Sequence, residues 1–206
     1  MKVVVLISGK MRSGKNTFAD ILIDEMSKAE PNKNVIFDYF AKPVKDQCKE
    51  VFRNLTDYLN DVSKRTGVKC IYTDDDNWYE DKNDITRILL QTYATDIFRD
   101  MVDDLYWAKT MKTKIEQSNR DVILITDWRF RNEAEVICDS KDYKTIKVRI
   151  DRPELVIPHS EVTQHQSEID LDDYKEFDFS ILNNSFDSLR DATKSIMTII
   201  NLYGEI

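Results

Sequence analysis

Two hydrophobic patterns alternate along this chain: short unbroken apolar runs, and longer stretches with an apolar side chain every three or four positions. Val3 to Ile7 is an unbroken run of the kind that forms a strand buried on both faces. After a turn containing Gly9 and Gly14, Phe18, Ile21, Leu22 and Met26 recur at helical spacing, and Pro31 and Asn32 end that helix near Ala29. Val35 to Phe37 predict a second strand leading to Asp38. Lys42 and Pro43 then open a helix with Val44, Cys48, Val51 and Phe52 on its apolar face, proline being tolerated in a first turn. From Leu55 to Asp84 the periodicity is lost, and the stretch reads as a mobile insertion. Apolar steps resume at Ile85, Ile88, Leu89, Ile97, Phe98, Met101 and Val102, so residues 84–102 are predicted as the longest helix, with another from Tyr106 to about Gln117. Strands are predicted at Val122 to Ile125, Thr145 to Ile150 and Phe179 to Leu182, with a short helix at Glu133 to Cys138. Leu189, Ala192, Ile196, Ile199 and Tyr203 form the inner face of a closing helix. Strands alternating with helices predict an α/β architecture in three layers, a mostly parallel sheet flanked by helices.

The first turn carries the chemistry. Gly9, four residues, Gly14 and Lys15 fit the spacing of a phosphate-binding loop: small residues let backbone N–H groups converge on an anion at a helix N-terminus, and the lysine adds a full charge. Asn16 stands where the strict pattern has a hydroxyl, and Thr17 supplies it one residue later; this order resembles the Gly-Lys-x-Thr variant of nucleoside monophosphate kinases. The fold expected is therefore that of the P-loop NTPases. Asp127 follows the buried run at Val122 to Ile125, on the side of an open α/β sheet where ligands bind. It is placed either to hold magnesium, directly or through water, or to cap the next helix. Lys42 and Lys45 lie at a helix N-terminus, the end less favourable to cations, which a bound anion or simple solvation would explain.

Composition narrows the classes. The 206 residues suit one domain with a filled core, and 41% hydrophobic residues are ordinary for a globular protein. No apolar run approaches the ~18 residues of a membrane span, and no signal-peptide pattern is present, so a cytoplasmic protein is expected. Three cysteines without C-x-x-C spacing suggest neither a disulfide framework nor a zinc site. A formal charge of −8 argues against a nucleic-acid-binding surface but leaves room for a local cationic pocket. The acidic run from Asp74 to Asp84 lacks calcium-loop spacing, and His159 and His165 are not one helical turn apart, so neither reads as a metal site.

Several stretches together resemble the deoxynucleoside monophosphate kinases of the kind encoded by tailed bacteriophages: SGKMRSGKNT, FAKPVK, LLQTYATDIFRDMVDDLYWAK, ITDWRFRNEAEVI, HQSE and FDFSILNNSFDSL. The chain is also similar to phosphomevalonate kinases and, more distantly, to dephospho-coenzyme A kinase. The resemblance implies one kinase domain over residues 1–206, with 38–84 as an acceptor-side insertion and 151–176 as a lid. It implies γ-phosphoryl transfer from ATP, with Mg2+, to a deoxynucleoside monophosphate, in a monomer or homodimer in the cytoplasm, the host's if phage-encoded. Gly9, Arg12, Ser13, Gly14, Lys15, Asn16 and Thr17 would hold ATP, and Thr17 with Asp127 the magnesium. Lys15, Arg129, Arg131 and Arg152 would act in transfer, with Lys42, Gln91, Asp96, Arg99, Asp127 and Arg129 lining the acceptor pocket. The competing readings are another small-molecule kinase on this scaffold and a non-catalytic ATP-binding switch.

Overall fold

The computed structural model describes residues 1–67, 90, 92–155 and 166–204. Val3 to Ile7 are all buried because their strand, β1 (Lys2–Ser8), lies in the middle of a five-stranded sheet. The partners are β2 (Val35–Asp38), β3 (Val122–Ile125), β4 (Tyr143–Asp151) and β5 (Phe179–Leu182), in the order β2-β3-β1-β4-β5. Every pairing is parallel, with Val3 opposite Val122 on one side and Lys144 on the other. Alternation along β1 divides the core in two. Val3, Val5 and Ile7 pack with Phe18, Leu22 and Met26 of α1 (Lys15–Ala29) and with Leu189, Ile196 and Ile200 of the last helix (Phe186–Gly204). Val4 and Leu6 face the other way, onto Met111 and Ile115 of a helix over Tyr106–Gln117 and Ala134 and Ile137 of one over Arg131–Cys138. Helices thus cover both faces, and the expected three-layer α/β P-loop fold is what the chain adopts.

Two compact units are distinguished: residues 1–40 with 108–206, and residues 41–107. The first holds the sheet. The second contains α2 (Ala41–Thr66) and α3 (Thr92–Val102), with a small core of Val44, Cys48 and Trp107 packed by Tyr93 and Phe98. In chain order the remaining helices are α4 (Tyr106–Gln117), α5 (Arg131–Cys138), a single turn α6 (Gln166–Ile169) and α7 (Phe186–Gly204).

Three boundaries differ from the patterning. The helix foreseen through Phe52 continues to Thr66, which makes α2 the longest among the described residues. Its second half carries Leu55, Tyr58, Leu59 and Val62 at helical spacing, and Arg65 pairs with Asp61 at 2.8 Å, with Lys64 and Arg65 in the last turn, where the helix dipole favours cations. Gly67, at φ 72°, supplies the left-handed residue that ends it. Of the helix foreseen over residues 84–102, Thr92–Val102 is described and winds as a wide π-type helix; 84–89 and 91 lie outside the described residues. β4 begins at Tyr143, which is buried and stands in register with Lys2 of β1. The acidic run after Thr73, both histidines and Cys70 also lie outside the described residues. No helix among the described residues is long and apolar enough to cross a membrane.

Candidate active site

The turn between β1 and α1 has a backbone that its small residues explain. Gly9 is at φ 151° and Gly14 at φ 101°, and Arg12, at φ 63°, is the one non-glycine residue with positive φ among those described. A Cβ on Gly9 would enter the carbonyl oxygen of Ile150 and the hydroxyl of Ser13. Gly14 has the Asn183 side-chain amide in the same place, and that amide donates to the Ser13 carbonyl at 2.8 Å. Asn183, just past β5, therefore braces the loop from the neighbouring edge of the sheet.

Lys15 opens α1 and folds back, its Nζ donating to the carbonyls of Gly9 at 2.7 Å and Lys10 at 2.8 Å. Burial is the main reason its pKa is lowered to about 8; Arg129 and Arg149 push the same way, and Glu168 and Asp127 oppose them. The ammonium is thus held short of solvation beside two guanidinium groups. Ser13 is buried, and its Oγ has no hydrogen-bond partner among the described residues. With Lys10, Ile150, Asp151, Arg152, Pro153 and Leu155 it lines a cleft of about 200 Å³. Arg12, Asn16 and Thr17 are exposed at the loop and in the first turn of α1, and Arg152 is exposed at the rim of the cleft.

Behind β3 the chain turns through Thr126 to Arg129. Trp128 is wholly buried, its indole N–H donating to the Phe130 carbonyl at 2.8 Å and its ring packed edge-on to Tyr174 and Phe177. That anchor fixes the direction in which Arg129 leaves the turn. The buried carboxylate of Glu133 accepts the backbone N–H groups of Arg129 at 2.9 Å and Phe130 at 3.0 Å. Glu133, not Asp127, thus caps α5. Asp127 accepts the Phe40 amide at 2.6 Å through Oδ1.

Arg129 pairs with Glu168 of α6. Arg131 turns toward Asp170 and Asp173: its backbone N–H and Nε donate to Asp170 at 2.9 Å each, and a guanidinium nitrogen pairs with Asp173. Lys42 is exposed in the first turn of α2, and Arg99 is half-buried on α3, both in the second unit. Asp96 is also on α3, and Gln91 lies outside the described residues.

Patterning passed over Arg149. It lies on β4 with a side chain only 11% exposed, 3.0 Å from Asp151 and 3.4 Å from the Ser8 hydroxyl at the end of β1. The alternation in Thr145 to Asp151 held the clue: Ile146, Val148 and Ile150 face one core, so Lys147 and Arg149 face the other, under Tyr174 and Phe177. Lys10 was likewise unforeseen, and the segment after Gln166 was expected only as part of a lid over 151–176. Lys10 donates to the Glu168 carbonyl and to Asp172, both at 2.5 Å.

A glycine-containing loop at a helix N-terminus, with a poorly solvated lysine and arginines around it, is equipped to move a phosphoryl group, and the class of protein is a P-loop kinase. Residues 57–194 match the deoxynucleotide monophosphate kinase family, and the chain belongs to that family. The match takes in Asp127, Arg129, Glu168 and Asn183 and begins after the phosphate loop. Among solved structures, the chain is similar to a sugar kinase from Janibacter sp. HTCC2649, at 13% identity and TM-score 0.48, covering 97% of this chain and 95% of that one. It is also similar to a gluconokinase from Sinorhizobium meliloti 1021, at 13% identity and TM-score 0.41, covering 99% and 96%. No curated protein sequence matches the chain.

Proposed function

We propose that this kinase transfers the γ-phosphoryl group of ATP to a deoxynucleoside monophosphate, giving the diphosphate and ADP. The observation that carries the reading is Lys15, desolvated at the loop with Arg129 and Arg149 beside it, in a chain of the deoxynucleotide monophosphate kinase family. Phosphoryl transfer asks for in-line positioning and for neutralising negative charge spread over the transferring group, and these cations supply the second. The backbone from Gly9 to Lys15 and the Lys15 ammonium bind the ATP phosphates. Ser13, with a buried hydroxyl facing the cleft, offers them one further donor. Arg12, Asn16 and Arg152 flank the nucleotide at the rim. Arg129 binds the acceptor phosphate or the group in flight, since a guanidinium grips phosphate oxygens in pairs. Arg131 assists it after leaving Asp170 and Asp173. Lys42, Gln91, Asp96 and Arg99 supply the acceptor pocket.

A divalent cation fits the donor set. Thr17 and Asp127 present hydroxyl and carboxylate oxygens, the hard ligands magnesium takes when phosphates and water complete its shell. Bound there, magnesium would neutralise charge between the β- and γ-phosphates.

The test is ADP release from Mg-ATP by purified protein with dAMP, dGMP, dCMP, dTMP, the matching ribonucleotides and phosphomevalonate. Turnover is expected with one or more deoxynucleotides; turnover on phosphomevalonate alone, or on none, overturns the reading. Arg129→Ala should lower kcat/KM for the acceptor by about 10²–10³, with ATP affinity changed less than about threefold. Steady-state kinetics with nucleotide titration check this, and a collapse in ATP affinity with an unchanged acceptor KM would exchange the two phosphate sites.

A further inference from the structure

In the phosphate loop a carboxylate already makes contacts that an incoming phosphate needs. Glu168 accepts the Met11 backbone N–H through Oε2 at 3.3 Å, and its other oxygen pairs with Arg129. Its side chain is 12% exposed. Lys10 is drawn to the same segment through the Glu168 carbonyl and Asp172, and Arg149 reaches Asp172 at 3.4 Å. A carboxylate and a phosphate offer the same kind of anionic oxygen pair to amides and guanidinium groups. Two such anions cannot occupy one small site, because like charges held at contact distance repel strongly where solvent is scarce.

We propose that Glu168 is an internal stand-in for nucleotide phosphate, and that a polyphosphate binds by exchange with it. The incoming chain takes the Met11 amide and Lys10, and Arg129 is released to the transferring group. Displacing a carboxylate tied at two points requires a ligand that brings several oxygens at once, so Glu168 discriminates against single-phosphate anions at the donor site. This rests on the loop being the nucleotide phosphate site.

Calorimetric titration of the full chain with tripolyphosphate and with inorganic phosphate tests the exchange without any acceptor. Glu168→Gln should bind tripolyphosphate about five- to tenfold tighter than the parent and narrow its preference over inorganic phosphate. Glu168→Asp keeps the charge but is one methylene short of spanning Met11 and Arg129, and should bind about two- to fivefold tighter. Glu176→Gln removes an acid that pairs with Lys147, away from the loop, and should bind as the parent does. Equal or weaker binding by Glu168→Gln overturns the proposal, leaving Glu168 as a brace for Arg129. So does a Glu168→Asp variant indistinguishable from the parent, because net charge alone would then account for the glutamine result. A parent that phosphorylates deoxynucleotides but shows no gain at position 168 sinks the exchange alone. A gain without deoxynucleotide turnover sinks the acceptor assignment alone. No tripolyphosphate binding by any variant sinks the exchange and the assignment of the loop as the nucleotide phosphate site.

Discussion

Lys15→Met is expected to cost about a thousandfold in turnover and, at the same time, to make the ligand-free protein harder to unfold. The kinetic loss follows from removing the poorly solvated charge that the loop brings to the transferring phosphates, a contribution of about 4 kcal/mol to transition-state stabilisation. The gain in stability follows from burial. With its pKa lowered to about 8 in the folded chain, against an ordinary value near 10.5, Lys15 releases its proton more readily folded than unfolded. At neutral pH both states are protonated and the folded state bears the cost of a poorly solvated ammonium, on the order of 3 kcal/mol. As pH rises from about 8 to 10.5 the unfolded chain binds more protons, and this group's contribution moves toward greater stability. Methionine removes the charge at every pH. Its carbonyl partners at Gly9 and Lys10 lose a donor, so a net rise in Tm of roughly 2–6 °C is expected at pH 7, shrinking above pH 10. Thermal melts of both proteins at pH 7 and pH 10 check the sign; a lower Tm at pH 7 would mean that the two hydrogen bonds outweigh the desolvation.

Gly9→Ala should act in the opposite direction, removing nucleotide binding by breaking the fold around the loop. The new methyl group meets the backbone carbonyl of Ile150, which belongs to the paired strand β4 and cannot turn aside as a side chain would. The φ of 151° is a conformation that L-residues rarely adopt. Together these should destabilise the protein by about 2–4 kcal/mol and lower Tm by roughly 5–12 °C. Urea unfolding monitored by tryptophan fluorescence measures this; a change below about 0.5 kcal/mol would show that the loop relaxes without cost. Gly14→Ala meets the softer amide of Asn183 and should be milder.

What sequence could reveal tracks the range over which each interaction acts. The strand at Val3 to Ile7 was legible because burial on both faces leaves an unbroken apolar run, and the loop because Gly9, Gly14 and Lys15 lie within one turn of chain. Glu168 was not legible as part of the loop: its partners, Arg129 and Met11, are 39 and 157 positions away, and nothing local distinguishes it from other acids. Asn183 was not legible as part of the loop either, since its brace on Ser13 crosses 170 positions. Arg149 was hidden by its neighbours, a cation between buried valine and isoleucine. The second half of α2 was legible and passed over: Leu55, Tyr58, Leu59 and Val62 keep helical spacing among polar neighbours, and Gly67 marks the end. The wide winding of Thr92 to Val102 leaves no mark in apolar spacing that separates it from an ordinary helix.

The position of β1 in the sheet has a consequence for how the molecule comes together. Its hydrogen-bonding partners are β3 and β4, so Val3 must find Val122 and Lys144 across most of the chain, with no hairpin to bring them close. Contacts of such separation carry a large closure entropy before any burial compensates it, and all-parallel pairings of this kind are slow to form. The phosphate loop hangs from the end of that strand, and its glycines have reason to adopt their positive φ only once Ile150 and Asn183 stand opposite them. Binding competence should therefore appear in the last cooperative step of folding, together with the closing of the sheet, and not earlier with the helices.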